Sequence, residues 1–539
     1  MSLAKKTAKV MLFTSLFLFS IVICFAIYVS EVLVLTAPPT EIKVAGDGEG
    51  SLIKNKWGVW EMYLKGSPYD RGVKYGELGL DLIQKQEGVF VDQINHFVPN
   101  TLFQKFLKIL IGIFNRNIVD HIPEEFLHEL YGVSHAFNPD YNYISSGFMR
   151  ILNYHAAHDL GHALNDYSIV GCTSFGVLDT SNGEESLLIG RNFDFYVGDD
   201  FSQEKLLLFL DPKDGYSFAS YSWAGFMGVA SGMNEKGLSV TINSARSSPP
   251  TSAKTPISIL AREILQYSKN IEEAISIALK REVFVSEVIM VGSSEDGSIA
   301  LIEKSPSKMG VYHMEGNRII CSNHFQSSTF KEDDMNVLNI KSSESMSRYE
   351  RVRELIPENG KISLEGAVAV LRDQHGAGGD TLGMGNPQAI NQLISHHSVV
   401  FDNNNTTIYV STSDWQLGSY VGYDLKNVFE TGEINVIDTV PASLFLKSNN
   451  FESFITFKRI SKQILDCTYS GTSLDSETIN DFINSNSESY MTYELLGDYY
   501  LRRGEVKPAD MMFNLSLTKN LPSLQVKEGI DDKISSDSK

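Results

Sequence analysis

The pattern of this chain changes character at Cys172, and that change limits what it can fold into. From Trp57 to about Asp166 the reading is mostly helical, with Pro123-Glu124-Glu125 opening one helix, because proline is tolerated in a first turn. From Cys172 onward, short β-type runs follow one another: Cys172–Leu178, Leu187–Phe193, Leu206–Leu210, Ser217–Trp223 and Leu238–Ile242. Two helices come next. Thr255-Pro256 caps Ile257–Ser268, and Asn270 with Glu273 makes a capping-box pattern ahead of Ala274, Ile275 and Ala278. Strands are expected again at Glu287–Gly292, Ser298–Glu303, Arg318–Ser322, Ser398–Phe401 and Thr407–Ser411, with helices near Ser347–Leu355 and Leu364–Arg372 between them. Gly376–Gly385 reads as a loop.

Both ends differ from this body. Lys5, Lys6 and Lys9 precede an uncharged, mostly apolar run from Val10 to Ser30, about 30 Å long as a helix and so able to span a bilayer core. With the basic flank first, the positive-inside rule leaves the N-terminus in the cytoplasm and the body on the periplasmic, extracellular or lumenal side. A cleaved signal peptide is the rival reading, but the run is long for one and Ala37-Pro38-Pro39 is a poor cleavage site. Residues 1–37 are thus expected to be an anchor, 38–171 a linker and helical pro-segment, and 172–440 the body; 441–539 is a helical extension. In that extension Thr492–Arg502 and Pro508–Leu517 resemble one tetratricopeptide unit. One such unit cannot bury a solenoid core, which favours a packing extension over a partner-binding module.

Composition removes several functions. Hydrophobic residues make up 42% and charged residues 21%, which excludes disorder, collagen and coiled coil as overall descriptions. A net charge of −20 argues against nucleic acid, whose phosphates need clustered Lys and Arg. The four cysteines, Cys24, Cys172, Cys321 and Cys467, are too few for a disulfide scaffold. His155, His158 and His162 have helical spacing, but no further motif completes a metal site, so a solvated or substrate-facing stripe is expected and no metal or other cofactor. His396-His397, ahead of a strand, reads as structural.

The remaining polar signals form an ordered set: Gly171-Cys172-Thr173-Ser174, then Gly190-Arg191-Asn192-Phe193-Asp194-Phe195, Asn234-Glu235-Lys236-Gly237, Thr241-Ile242-Asn243, Ser322-Asn323-His324 and Ser347-Arg348. This set resembles the linear-amide branch of the N-terminal-nucleophile hydrolases. That branch includes the acyl-coenzyme A:6-aminopenicillanic-acid acyltransferase family, the choloylglycine (bile salt) hydrolases, and the acid ceramidase and N-acylethanolamine amidase group. Ser67-Pro68-Tyr69-Asp70-Arg71-Gly72 and the internal position of Cys172 favour the acyltransferase-like group.

The resemblance implies an α+β, four-layer αββα fold and an enzyme that cuts itself between Gly171 and Cys172, leaving α and β chains associated. The freed α-amine, with a reference pKa of about 7.7–8.0, would serve as base for its own thiol. Arg191 would lower the Cys172 pKa and Asp194 would orient the new ammonium. Asn243 and Asn323 would supply amide donors near the oxyanion, and Arg348 would brace the site. Residues three apart on a strand face opposite ways, so the resemblance implies a bulge or a strand end at Phe193–Asp194 that lets Arg191 and Asp194 meet. The substrate would be a small acyl amide or acyl thioester. The rival reading is a non-catalytic envelope protein that binds a partner through its C-terminal helices.

Overall fold

A computed structural model describes residues 44–163, 170–179, 186–246 and 252–536, with 39, 42 and 250 besides. Two β-sheets lie at its centre. The first has nine strands. It runs from β1 (Glu49–Lys54) and β2 (Trp60–Gly66) through β5 (Lys205–Pro212), β6 (Phe218–Trp223), β7 (Ser231–Asn234) and β8 (Leu238–Ser244). It ends with β9 (Glu287–Ser293), β10 (Ser298–Lys304) and β11 (Met309–His313). All its pairings are antiparallel except β2 with β5. The second has seven, in the order β12 (Arg318–Cys321), β3 (Val170–Asp179), β4 (Ser186–Phe195), β13 (His397–Asp402), β14 (Thr407–Ser411), β15 (Tyr420–Asp424) and β16 (Val436–Val440).

A strand buried on both faces should be apolar at successive positions rather than at alternate ones, and β5 reads Lys-Leu-Leu-Leu-Phe-Leu. Leu206, Leu208 and Leu210 face a helical layer, whereas Leu207 and Phe209 face the second sheet. Three apolar cores stacked in this way define four layers. The first core joins the nine-stranded sheet to α1 (Pro68–Phe97), α2 (Thr101–Phe114), α3 (Glu124–Ser134), α4 (Gly147–Ala163), α5 (Ile257–Tyr267) and α6 (Ile271–Lys280). The second lies between the sheets, with Ile189, Tyr221, Met290, Val399 and Val421. The third joins the seven-stranded sheet to α8 (Ser345–Leu355) and α9 (Leu364–Leu371), which follow the short α7 (Asp334–Ser342). The arrangement is helices, sheet, sheet, helices, as the resemblance implies.

The segment before Cys172 departs from its expected linker-and-helix character. Glu49–Lys54 and Trp60–Gly66 are strands, and β2 lies between β1 and β5 inside the nine-stranded sheet. Gly48 and Gly50, together with the half-polar sequence of β1, masked that alternation. The body closes with a short α10 (Leu425–Thr431) ahead of β16.

Beyond Val440 come α11 (Asn449–Ser470), α12 (Ser476–Ser485), α13 (Tyr490–Arg502), α14 (Val506–Leu517) and α15 (Leu524–Ser536). They form a separate apolar cluster, Phe454, Phe457, Ile464, Phe482 and Leu496, into which the body inserts Leu393, Trp415 and Leu417. Among the described residues no single helix is long and apolar enough to cross a membrane, and the Val10–Ser30 run lies outside them.

Candidate active site

β3 and β4 pair with Gly171 opposite Asp194, Cys172 opposite Phe193 and Ser174 opposite Arg191. Opposed residues share a face, and faces alternate along each strand. Cys172, Ser174, Arg191 and Phe193 therefore face the other sheet, while Gly171, Thr173, Asn192 and Asp194 face the helices. The pairing is continuous from Val170–Phe195 to Asp179–Ser186. Of the bulge or strand end expected at Phe193–Asp194, β4 supplies the end, at Phe195. Arg191 and Asp194 approach the Gly171–Cys172 unit from opposite sides of the sheet, which needs no distortion.

Each polar atom of Cys172 has a partner. Arg191 Nη2 lies 3.6 Å from Sγ, the backbone N–H donates to Asn323 Oδ1 at 3.1 Å, and the carbonyl accepts from Arg348 Nη1 at 2.7 Å. Arg191 is itself fixed, donating through Nη1 to Ser231 Oγ at 2.6 Å and stacking 4.2 Å from the centre of the Phe193 ring. Arg348, on α8, also donates to Thr173 Oγ1 (3.1 Å), Asn323 Oδ1 (2.8 Å) and the Pro387 carbonyl (3.1 Å). It ties the Cys172 strand to the helical layer.

The asparagines take roles other than those expected. Asn243 accepts from Ser174 Oγ at 2.8 Å and donates to the Cys321 carbonyl at 3.1 Å, bridging the two sheets. Asn323 donates to the Ser244 carbonyl at 2.9 Å and turns its oxygen, not its amide, toward Cys172. In the intact chain it is an acceptor for the Cys172 nitrogen.

Charge inside this site is governed by burial. Cys172, Arg191, Asp194 and Arg348 are all buried. Loss of solvent pushes the Cys172 thiol up to about 11, overriding the pull of Arg191, so its pKa moves opposite to the expected direction. Burial likewise raises Asp194 to about 7, although the Ser395 hydroxyl, Arg348 and Arg191 all favour its carboxylate.

Two partners of Asp194 were not visible in the sequence: Gln392 Nε2 donates to its Oδ2 at 3.1 Å, and Ser395 Oγ donates to its Oδ1. They come from a loop 198 and 201 residues further along, and no local spacing announces them. Ser231, held by Arg191, lies 2.9 Å from His397 Nε2, and His397 Nδ1 lies 3.0 Å from His396 Nδ1. Burial holds both rings neutral.

His155 is buried rather than solvated, and it lines a cavity with Phe195 and Trp223. It lies on α4, with Nδ1 against the Ile151 carbonyl at 2.8 Å and Nε2 accepting from Met227 N–H at 2.9 Å. The side chains of His158 and His162 lie outside the described residues. No cluster among the described residues gathers three His, Cys, Asp or Glu around a metal position.

The ring of Phe193 stacks on Phe195 at 5.7 Å and on Trp223 at 6.3 Å. Phe195 and Trp223 then line a cavity shared with Phe90, Phe201, Phe226 and Tyr154. The aromatic stack beside Cys172 thus borders a small, mostly apolar cavity that also takes in Gln86, Glu87 and His155.

Residues 180–413 match the family model described as acyl-coenzyme A:6-aminopenicillanic acid acyl-transferase. An uncharacterized protein of Archaeoglobus fulgidus is 27% identical over 274 residues, covering 48% of this chain and 45% of that protein. Protein dcd1A of Dictyostelium discoideum is 22% identical over 280 residues, covering 47% and 60% respectively. The chain thus spans about half the length of the curated relatives it matches. Among solved structures, a Caenorhabditis elegans N-acylethanolamine-hydrolyzing acid amidase ortholog is 16% identical, covers 43% of this chain and 93% of that one, and gives a TM-score of 0.32. A mutant conjugated bile acid hydrolase from Clostridium perfringens is 14% identical, covers 49% and 96%, and gives 0.31. The family match begins after Cys172 and takes in Arg191, Asp194, Asn243, Asn323 and Arg348.

Proposed function

We propose, for a chain whose residues 180–413 carry the sequence of the acyl-coenzyme A:6-aminopenicillanic acid acyl-transferase family, that it is a self-processing cysteine amidohydrolase or acyltransferase acting on linear amides. The observation that carries this reading is the set of contacts on Cys172: a guanidinium at its sulfur, an acceptor at its nitrogen and a second guanidinium at its carbonyl.

The chemistry follows from those contacts. The Cys172 sulfur adds to the Gly171 carbonyl, the peptide C–N bond breaks, and the departing nitrogen takes the thiol proton. Water then hydrolyses the thioester, leaving a Gly171 carboxylate, a free thiol and a free α-amine. Asn323 Oδ1, already 3.1 Å from that nitrogen, holds the amine in place. The amine becomes the base that the intact chain lacks. It takes the thiol proton as sulfur attacks the substrate carbonyl, and passes that proton to the amine that leaves. The acyl thioester is then resolved by water or by a second acceptor. Before cleavage the thiol, at about 11, is almost wholly protonated near neutral pH, so activity waits on processing.

The aromatic cavity beside Phe193 favours a small amide with an apolar acyl group. β1, β2 and the buried contacts of α3 would keep the two processed chains together, and Val10–Ser30 would anchor the enzyme with its body on the non-cytoplasmic side.

The test is the full chain on a denaturing gel. The wild type is expected as two fragments of roughly one third and two thirds of its length, and Cys172→Ala as one. A Cys172→Ala chain that still splits there would sink the reading. A panel of acyl amides with penicillin-like, bile-acid, amino-acid and lipid parts, assayed against the same variant, then identifies the substrate.

A further inference from the structure

The loop from Asp380 to Ser395 lies between the seven-stranded sheet and the C-terminal helices, and it is bonded to both. On the helical side, Met384 N–H donates to Asn486 Oδ1 at 3.0 Å, and the Met384 carbonyl accepts from Asn486 Nδ2 at 2.8 Å. Gln388 Nε2 donates to the Leu521 carbonyl at 2.9 Å. Gly383, at φ +76°, comes so close that a Cβ there would lie 2.5 Å from the Ser489 nitrogen. On the side of the site, the Pro387 carbonyl accepts from Arg348 and the Ile390 carbonyl accepts from Asn192 Nδ2 at 2.9 Å.

The loop delivers one side chain to the reacting bond. Gln392 Nε2 lies 2.7 Å from where a Cβ on Gly171 would be, and it donates to Asp194 at 3.1 Å. The chain reaches this position through Leu393, a branched residue at φ 54°, in the left-handed region that non-glycine residues avoid. Leu393 is fully buried in the apolar cluster of the C-terminal helices, with Trp415 and Phe454. Burial of an isobutyl side chain offsets the cost of its backbone. The helices thereby set the direction in which Gln392 and Ser395 leave the loop.

Resting on the processing reaction proposed above, we propose that Gln392 is a positioning residue for the Gly171–Cys172 bond and for Asp194, and that the C-terminal helices hold it there through Leu393 and Asn486. The other groups facing Asp194 are the Ser395 hydroxyl from the same loop, Arg348 from α8, Arg191 on its own strand and the Cys172 thiol from β3. None of these is altered in the test.

The test follows splitting at Gly171–Cys172 from pH 5 to 9 in full chains. Gln392→Met, which keeps the volume and loses the donor, is expected to split about tenfold more slowly, as for one lost charge-assisted hydrogen bond. Its pH midpoint should move upward, because a bond that favours the carboxylate is gone. Gln392→Glu, of the same shape, should move the midpoint further in the same direction. Asn486→Ala, remote from the bond, should slow splitting several-fold, and the Gln392→Met/Asn486→Ala pair should be no slower than Gln392→Met alone. Melting temperatures within a few degrees of wild type show that each variant is folded. A Gln392→Met chain with the wild-type rate and midpoint overturns the inference while leaving the processing reading intact, as do multiplicative effects in the pair. A wild-type chain that never splits removes both.

Discussion

The helical segments on either side of the two-sheet sandwich are attached in different ways. The segment before Cys172 is woven into the fold. It contributes two strands to the nine-stranded sheet, and its Glu129 is buried between Arg71, at 2.7 Å, and Arg262 of α5. Tyr75 accepts from Gly225 N–H at 2.9 Å, beside the cavity. The segment after Val440 shares no strand with the body. It touches through loops: one apolar cluster, a few side-chain-to-backbone bonds, and Lys458 against Asp199. Removing the first dismantles a sheet edge and a buried ion network, whereas removing the second takes the backing from the Asp380–Ser395 loop.

That contrast can be broken by mutation. The largest effect is expected from Glu129→Ala, which strands two buried guanidinium groups and should cost about 3–5 kcal/mol in urea unfolding of the whole sandwich. A loss confined to the N-terminal segment would show that it is not woven in. Asp194 is held by Gln392 and Ser395 of the loop that the C-terminal helices back, and its carboxyl is raised from 3.8 to about 7 on folding. A raised carboxyl gives stability that is complete below the unfolded pKa and is lost as pH rises through the folded one. Between pH 4 and 8 the wild type should therefore lose on the order of 4 kcal/mol relative to Asp194→Asn. A pH-independent difference between the two would mean an ordinary carboxylate.

Leu496→Ala, in the core of the C-terminal helices, should cost about 3 kcal/mol. Here a separate early transition, read by limited proteolysis, is expected; a single shared transition would make the two attachments equivalent. The smallest effect belongs to Ser448→Ala, which removes the cap that accepts from Phe451 N–H at 3.2 Å and should lower the melting of α11 by about 1 kcal/mol.

The β-rich body was readable in the sequence because its strands are apolar on one or both faces and its helices carry caps. Leu206–Leu210 was expected and Lys205–Pro212 is found. β1 and β2 were not legible in the same way: β1 is a half-polar edge strand, and β2, paired on both sides, carries a weak alternation. At the site, the opposite faces of Arg191 and Asp194 follow from strand period alone, and of the bulge or strand end this calls for, β4 supplies the end, at Phe195. Gln392 and Ser395 were invisible because a left-handed leucine and a distant helical cluster place them, and neither leaves a mark in the local sequence. Arg191 does pull the Cys172 pKa down, as its charge requires, but burial raises it by more, and depth of burial is not readable in the sequence.

The position of β2, between β1 and β5, has a kinetic consequence. While Gly171 and Cys172 are joined, every strand belongs to one molecule and refolding is first order. Once they are cut, the same sheet has to be rebuilt from two polypeptides, so recovery after unfolding would slow with dilution and fail below some concentration. One hydrolysed bond would turn a reversible fold into a durable but unrenewable one, with a lifetime set by how often the sheet edge opens.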